Sequence, residues 1–397
     1  RAQRVDAAGN VSWVADGVTV CSAGGNQSAP RVIGDGAGGA VVVWLDTRNG
    51  PETDIYAQRI DADGAALWAA DGVAVCAAAG NQYAAVLAPD GAGGAYVAWE
   101  DLRSSPVDGD VFAQLVNSYG AALWASGGVA LSDSTGAQCS PAAVCDGSGG
   151  AIFVWSDSRP LYGGIHATRK DAAGADVWST TSSLLDGGAV AWGNPTALAD
   201  GWGGAFIACE ATMGSGELDI IGQRVSASGA VLWGSGGAAI CDADGDQWDV
   251  LLVSDDAGGA VAAWVDERSG SSTDIYALRV DGWGASQWMV YPSGLPVWGG
   301  SEDAGAPAMT ADGAGGAVIT WHGGQPDYED ILAQRFNGEG TVLWTPGGEI
   351  ISSAFGQKLA PQIVSDGAGG GVVFWTDLRS AAGADIFAQR IERNGYL

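Results

Sequence analysis

A turn of the form DGAGG returns along the chain with its Asp at Asp35, Asp90, Asp146, Asp200, Asp255, Asp312 and Asp366. A second landmark, a Trp that follows another Gly turn, falls at Trp13, Trp68, Trp124, Trp178, Trp233, Trp288 and Trp344. Both series have seven members, spaced 54 to 57 residues apart. A fixed period of this length means that one supersecondary unit is stacked on copies of itself. The 397 residues therefore read as a single array, not as the two or three domains their number would otherwise suggest.

Each unit reads as four short strands. The first resembles PQIVSD and is entered through Pro361; the second, after the Gly-rich turn, resembles GVVFWTD. A variable loop leads to a third strand such as DIFAQRI, and a tight turn such as DADG leads to a fourth, AALWAADGVAV. Gly supplies the positive φ that such turns require, and no segment carries a sustained 3.6-residue apolar period, so helices should be nearly absent. The second strand is almost wholly apolar, as in Val41, Val42, Val43 and Trp44. A strand with one wet face alternates, whereas one covered on both faces need not. Four-stranded sheets packed face to face around an axis give that covering, which predicts an all-β, seven-bladed β-propeller of antiparallel blades spanning 1–397. The chain begins with third- and fourth-strand sequence and ends with first, second and third strands. The strand over 11–20 is therefore expected to complete the last blade and close the ring. The third strand is supplied twice, by residues 1–5 and by Asp385–Ile391, so one copy must be displaced. An open array is the competing arrangement.

The unit P…DGAGG…W.D.R…DIYAQR.DADG…LW resembles the repeats of secreted bacterial propellers of the BNR, or sialidase-like, family, whose hairpin between third and fourth strands carries an Asp-box followed by a Trp. Here Trp68 follows Gly64 by four residues where the Asp-box has three. D..G...LW is also similar to the Trp-docking repeat of quinoprotein-like propellers. Both resemblances imply the fold, with a secreted or cell-surface location; neither fixes an activity.

Charge narrows the partners. The chain has 46 acidic and 17 basic residues, a formal net charge of −29. Such a surface repels nucleic acid and anionic lipid and suits cations, neutral ligands or basic partners. A high-salt habitat or calcium loading would give the same bias. No run of 18 apolar residues predicts a membrane helix, and no signal peptide precedes the first repeat. The start at RAQRV, without Met, reads as a trimmed or partial product. Cys21, Cys76 and Cys241 occupy equivalent points of different repeats, too far apart for disulfides, and with Cys139, Cys145 and Cys209 they read as small buried hydrophobes.

Most polar motifs repeat, and a catalytic group is needed only once. The D-x-R pairs (Asp46/Arg48, Asp101/Arg103, Asp157/Arg159, Asp266/Arg268, Asp377/Arg379) and the arginines Arg59, Arg224, Arg335 and Arg390 are thus expected to pin loops to blades rather than to form a substrate-binding Arg triad. Gln27, Gln82, Gln138, Gln247 and Gln357 are expected to bond the backbone of the next blade. Function should appear as departures from the repeat, at the end of the blades that carries the D-x-R loops and the blade connections. Trp192, Trp248 and Trp298 are such departures and could form an aromatic platform for sugar rings or apolar side chains. Tyr83 joins them, as the aromatic at the position of Trp248. Glu210 and His322 join them too, since they lie in EATMGSGELD and HGGQPDYED, where D-x-R is lost. Trp202 and Trp283 fall in turns of the opposite end. In CDADGDQWD the carboxylates Asp242, Asp244, Asp246 and Asp249 could collect on calcium, the one cofactor the sequence suggests, although the EF-hand pattern is not matched.

P-loop, GxSxG and HExxH motifs are missing. The expected function is non-catalytic: protein or glycan binding, adhesion or extracellular assembly. A glycoside hydrolase or lyase at the propeller mouth is one alternative, and a filament subunit joined to its own kind by terminal strand exchange is the other.

Overall fold

The computed structural model describes residues 1–132, 134–159, 163–179, 182–185, 191–212, 214, 216–324, 329–380 and 383–397. Parts of the segments in which D-x-R is lost, at 213, 215 and 325–328, lie outside them. Among the described residues there is no helix, and 27 strands form seven antiparallel sheets arranged in a ring. Among the described residues no helix is long and apolar enough to cross a membrane. The blades span 27–76, 82–132, 138–185, 191–241, 247–298, 304–352 and 358–391, in chain order. In each, strands pair in sequence order from first to last. The apolar second strands are dry on both faces: in Ala95–Asp101 every residue but Glu100 is buried, and in Ala151–Asp157 every residue is.

The DGAGG turn is held by its Asp. Asp35 Oδ1 accepts the amides of Ala37 and Gly39 at 2.8 Å, and its Oδ2 accepts Arg59 Nη2 at 2.8 Å. Arg59 Nη1 continues to the Ser118 carbonyl in the hairpin of the next blade. Arg169, Arg224, Arg279 and Arg335 repeat that onward contact. The Trp landmark does the same: Trp68 Nε1 donates to Ser118 O at 3.0 Å, and Trp124, Trp178, Trp233, Trp288 and Trp344 each reach the following blade. These Trp lie ahead of the fourth strand, which is only four residues long, Val73–Cys76 in blade 1. Each is thus a bolt from one blade into the next rather than a rung of its own sheet.

D-x-R forms a compact knot. Asp101, fully buried, accepts Trp99 Nε1 at 2.7 Å and Arg103 Nη2 at 2.5 Å. The Arg103 guanidinium lies 3.9 Å from the centre of the Phe112 ring, and Phe112 in turn stacks on Trp99. Arg103 also donates to Cys76 Sγ and the Gly127 carbonyl, and Arg48 and Arg268 meet Cys21 and Cys241 likewise. The cysteines are free, as expected, but these three are polar partners of the knot, and only Cys76, Cys209 and Cys241 are buried.

Two expectations are corrected. The seventh blade has three strands among the described residues, and the N-terminal strand does not close it. Residues 1–20 pair with themselves through Ala2–Val18 and Val5–Val11, and Trp13, Val18 and Val20 pack on the core of blade 1. Residues 1–5 already occupy the place beside Val18 that Asp385–Ile391 would need. Ile386 is consequently 74% exposed, whereas its equivalents Ile55, Val111, Ile165, Ile220, Ile275 and Ile331 are fully buried. The second correction concerns the glutamines. Gln82 and Gln247 bond carbonyls of the connection that precedes them, not the next blade. In blade 7 Lys358, rather than Gln357, stands opposite the knot Asp and takes the same carbonyls with its ammonium.

Candidate functional site

Every first strand breaks register once, opposite the fifth residue of the second strand. Two residues there face one, which is a β-bulge. The leading bulge residue has φ between 41° and 53° in all seven blades: Ala29, Ala84, Ser140, Asn194, Asp249, Ala306 and Ala360. None is Gly, so each blade stores backbone strain at this point. The second bulge residue is Pro in five blades, at Pro30, Pro141, Pro195, Pro307 and Pro361, where the missing N–H costs no ladder bond. First strands are the innermost of each blade, so these bulges ring the axis at the end that carries the D-x-R loops.

In three consecutive blades the bulge residue is polar. Ser140, Asn194 and Asp249 are tied to the sixth residue of a second strand, Glu100 or Glu210. Glu100 Oε1 accepts the Ser140 amide at 2.7 Å, and Ser140 Oγ donates to Asn194 Oδ1 at 3.3 Å. Asn194 Nδ2 donates to Glu210 Oε2 at 2.8 Å, and the Asp249 amide donates to Glu210 Oε1 at 2.9 Å. One hydrogen-bonded arc thus runs across blades 2 to 5. The opposite side of the mouth offers only Ala306, Ala360 and Ala29 at the bulges. Burial pushes Glu210 above the usual carboxylate range, against the pull of its two donors, and burial also raises Asp249, whose tip still reaches solvent.

The sequence candidates divide on this frame. Glu210 and Asp249 are in the arc. Tyr83 and Trp248 stand next to the bulges of blades 2 and 5, half-buried, and mark its two ends. Trp192 takes the place that glutamine holds in other blades, pairs with Ala211 and packs on the core around Cys209. It fills the space left where blade 4 has Cys209 and Ala211 instead of the knot's Trp and Asp. Trp298 is in the fourth, outermost strand of blade 5, tilted on Trp321, so the three Trp do not meet in one platform. His322 holds the position of Glu100 and Glu210 in blade 6, beside Gly305, with its pKa lowered by burial; among the described residues no hydrogen bond joins it to the arc. The calcium candidates are not gathered: no group of three metal-ligating side chains forms among the described residues. Asp246 spends Oδ1 on the Leu218 amide, and Asp249 lies in the mouth strand.

Sequence reasoning missed Ser140, Asn194 and Glu100. The signal was the Pro inside a strand pattern, which marks a bulge and singles out the residue before it.

No family model matches the chain, and no curated protein matches it. Among solved structures it is similar to a PL25 ulvan lyase, a polysaccharide lyase, bound to -[GlcA(1-4)Rha3S]-, at 10% identity over 94% of this chain and 95% of that one, with a TM-score of 0.55. A protein of unknown function from Dyadobacter fermentans matches at 10% identity over 78% and 94%, TM-score 0.44, and a Hadza microbial sialidase at 11% over 85% and 73%, TM-score 0.42. At these identities the likeness establishes the propeller fold alone.

Proposed function

We propose that this propeller binds a neutral glycan at the bulged mouth, without catalysis, as a secreted or cell-surface protein. The observation that carries the reading is the arc Glu100–Ser140–Asn194–Glu210–Asp249, a fixed row of donors and acceptors on strained backbone, flanked by Tyr83 and Trp248. A sugar presents hydroxyls around its edge and C–H faces above and below, and a polar arc between aromatic walls matches both. The net charge of −29 disfavours anionic polymers. Glu210 has both oxygens engaged by the protein, which suits a positioning role better than proton transfer. A solved propeller of similar fold named as a polysaccharide lyase supports a glycan over a protein partner.

The test is calorimetric titration with hexasaccharides of β-1,4-glucan, β-1,4-mannan and β-1,4-xylan, with product analysis of the same mixtures. One of them should bind without being cleaved, and N194A/D249A should weaken that binding at least about tenfold, the loss of one to two good hydrogen bonds. Cleavage that disappears in E210Q or D249N would instead establish the hydrolase or lyase alternative.

A further inference from the structure

The opposite end of the propeller carries two tryptophans that the fold does not use. Trp202 sits in the turn between first and second strands of blade 4, where the other six blades have Ala or Ser. Trp283 sits in the turn between third and fourth strands of blade 5. They are 63% and 81% exposed, whereas the Trp of the knots and bolts are nearly all buried.

Both turns meet on one guanidinium. Arg224 Cζ lies 5.0 Å from the centre of the Trp202 ring, and Arg224 Nη1 donates to the Gly282 carbonyl, one residue before Trp283, at 3.1 Å. Arg224 is itself held by Asp200 at 2.8 Å. The edge of the Trp202 ring rests on Gly258, where an added Cβ would come within 2.5 Å of it. Trp202 is therefore fixed by a cation beneath and backbone at its edge, with its remaining surface in water. Beside Trp283, Asp281 accepts the Trp283 amide and Gln287 Nε2.

We propose that Trp202 and Trp283 form a second carbohydrate platform, facing away from the mouth and independent of it, that takes the C–H faces of neutral pyranose rings. The electron-rich face of an indole attracts the weakly positive axial C–H bonds of a sugar, and Asp281 Oδ2 and Gln287 Oε1 offer acceptors to its hydroxyls, the Gln287 amide donors being spent on Asp281 and the Ala285 carbonyl. The surroundings decide against other occupants. The Asp281 carboxylate beside Trp283 and the net charge of −29 repel anionic lipid and anionic polymers. A chain with sites at both ends would bridge separate glycan strands.

Both side chains are exposed, so W202A/W283A should keep the wild-type thermal transition. With the same three hexasaccharides, the wild type is expected to bind two molecules per chain, W202A/W283A one, and N194A/D249A one with the platform's affinity unchanged. If W202A/W283A binds every probe with wild-type stoichiometry and affinity, the platform is refuted and the mouth reading stands. If N194A/D249A leaves all binding intact and W202A/W283A removes it, the mouth reading fails and the platform stands. A change in sedimentation of W202A/W283A without a change in glycan binding would assign the pair to self-association and also overturn the proposal.

Discussion

Glu210 and Trp192 look alike in sequence, as singular residues of one blade, and the structure gives them different work. Glu210 holds the Asp249 amide at a bulge that has no ladder partner. Removing its side chain leaves that amide unpaired, so E210A should cost about 1–3 kcal/mol, while E210Q, which keeps an acceptor, should cost less. Chemical denaturation of the two variants measures the difference; equal losses would mean that the acceptor is not what matters. Trp192 is packing. W192A should lower stability by about 2–4 kcal/mol through the cavity left beside Cys209, and should leave glycan affinity unchanged. A stable W192A protein with lost affinity would return Trp192 to the site. Its role was hidden in the sequence because the compensating small residues, Cys209 and Ala211, lie on the neighbouring strand.

At the scale of the element, the blade is organised by its D-x-R knot. In blade 2 the buried Asp101 joins the Trp99 indole, the Arg103 guanidinium and, through Arg103, Cys76 at the end of blade 1's fourth strand and the Gly127 carbonyl just ahead of blade 2's own. Truncating it strands a guanidinium and an indole N–H, so D101A should cost about 3–5 kcal/mol, well beyond any exposed ion pair. Unfolding by denaturant, with R103K as a milder comparison, tests this; a loss below about 1 kcal/mol would show the knot to be decorative. The repeated spacing made the knot legible, since Trp, Asp and Arg recur together. The bulge was less legible, although it recurs just as often. Its leading residue is usually Ala, which carries no conformational signature, and only register against the second strand exposes it.

At the scale of the molecule, two sets of carboxylates oppose each other. Burial pushes Asp35, Asp146, Asp255 and Asp366 up, but turn amides and a paired Arg outweigh it and hold each below the ordinary aspartate value of 3.8. A depressed folded pKa gives stability that is present above 3.8 and is lost as the pH falls through the folded value. Asp54, Glu210, Asp219, Asp249, Asp274 and Asp330 are raised, with burial the leading cause. Their contribution is present in acid and is lost as the pH rises through their folded values. The charge of −29 adds self-repulsion at neutral pH. The melting temperature should therefore peak at about pH 4.5–6, fall steeply below, and rise with salt at pH 7. A melting temperature that climbs steadily from pH 5 to 8, or ignores salt, would contradict this balance.

The sequence by itself determined the number of units, the strand content and the covered second strands. These follow from local spacing and from apolar runs, which one chain displays openly. Tertiary structure alone decided which singular residues gather at the axis. Asn194, Glu210 and Asp249 come from two blades and meet only because bulges turn their backbones towards one another. It also decided the fate of the doubled strand: residues 1–5 hold Val18 locally and leave Ile386 in water. Two near-identical strands compete for one slot, and pattern cannot choose between them; the copy closer along the chain closes the shorter loop, at the smaller entropic cost.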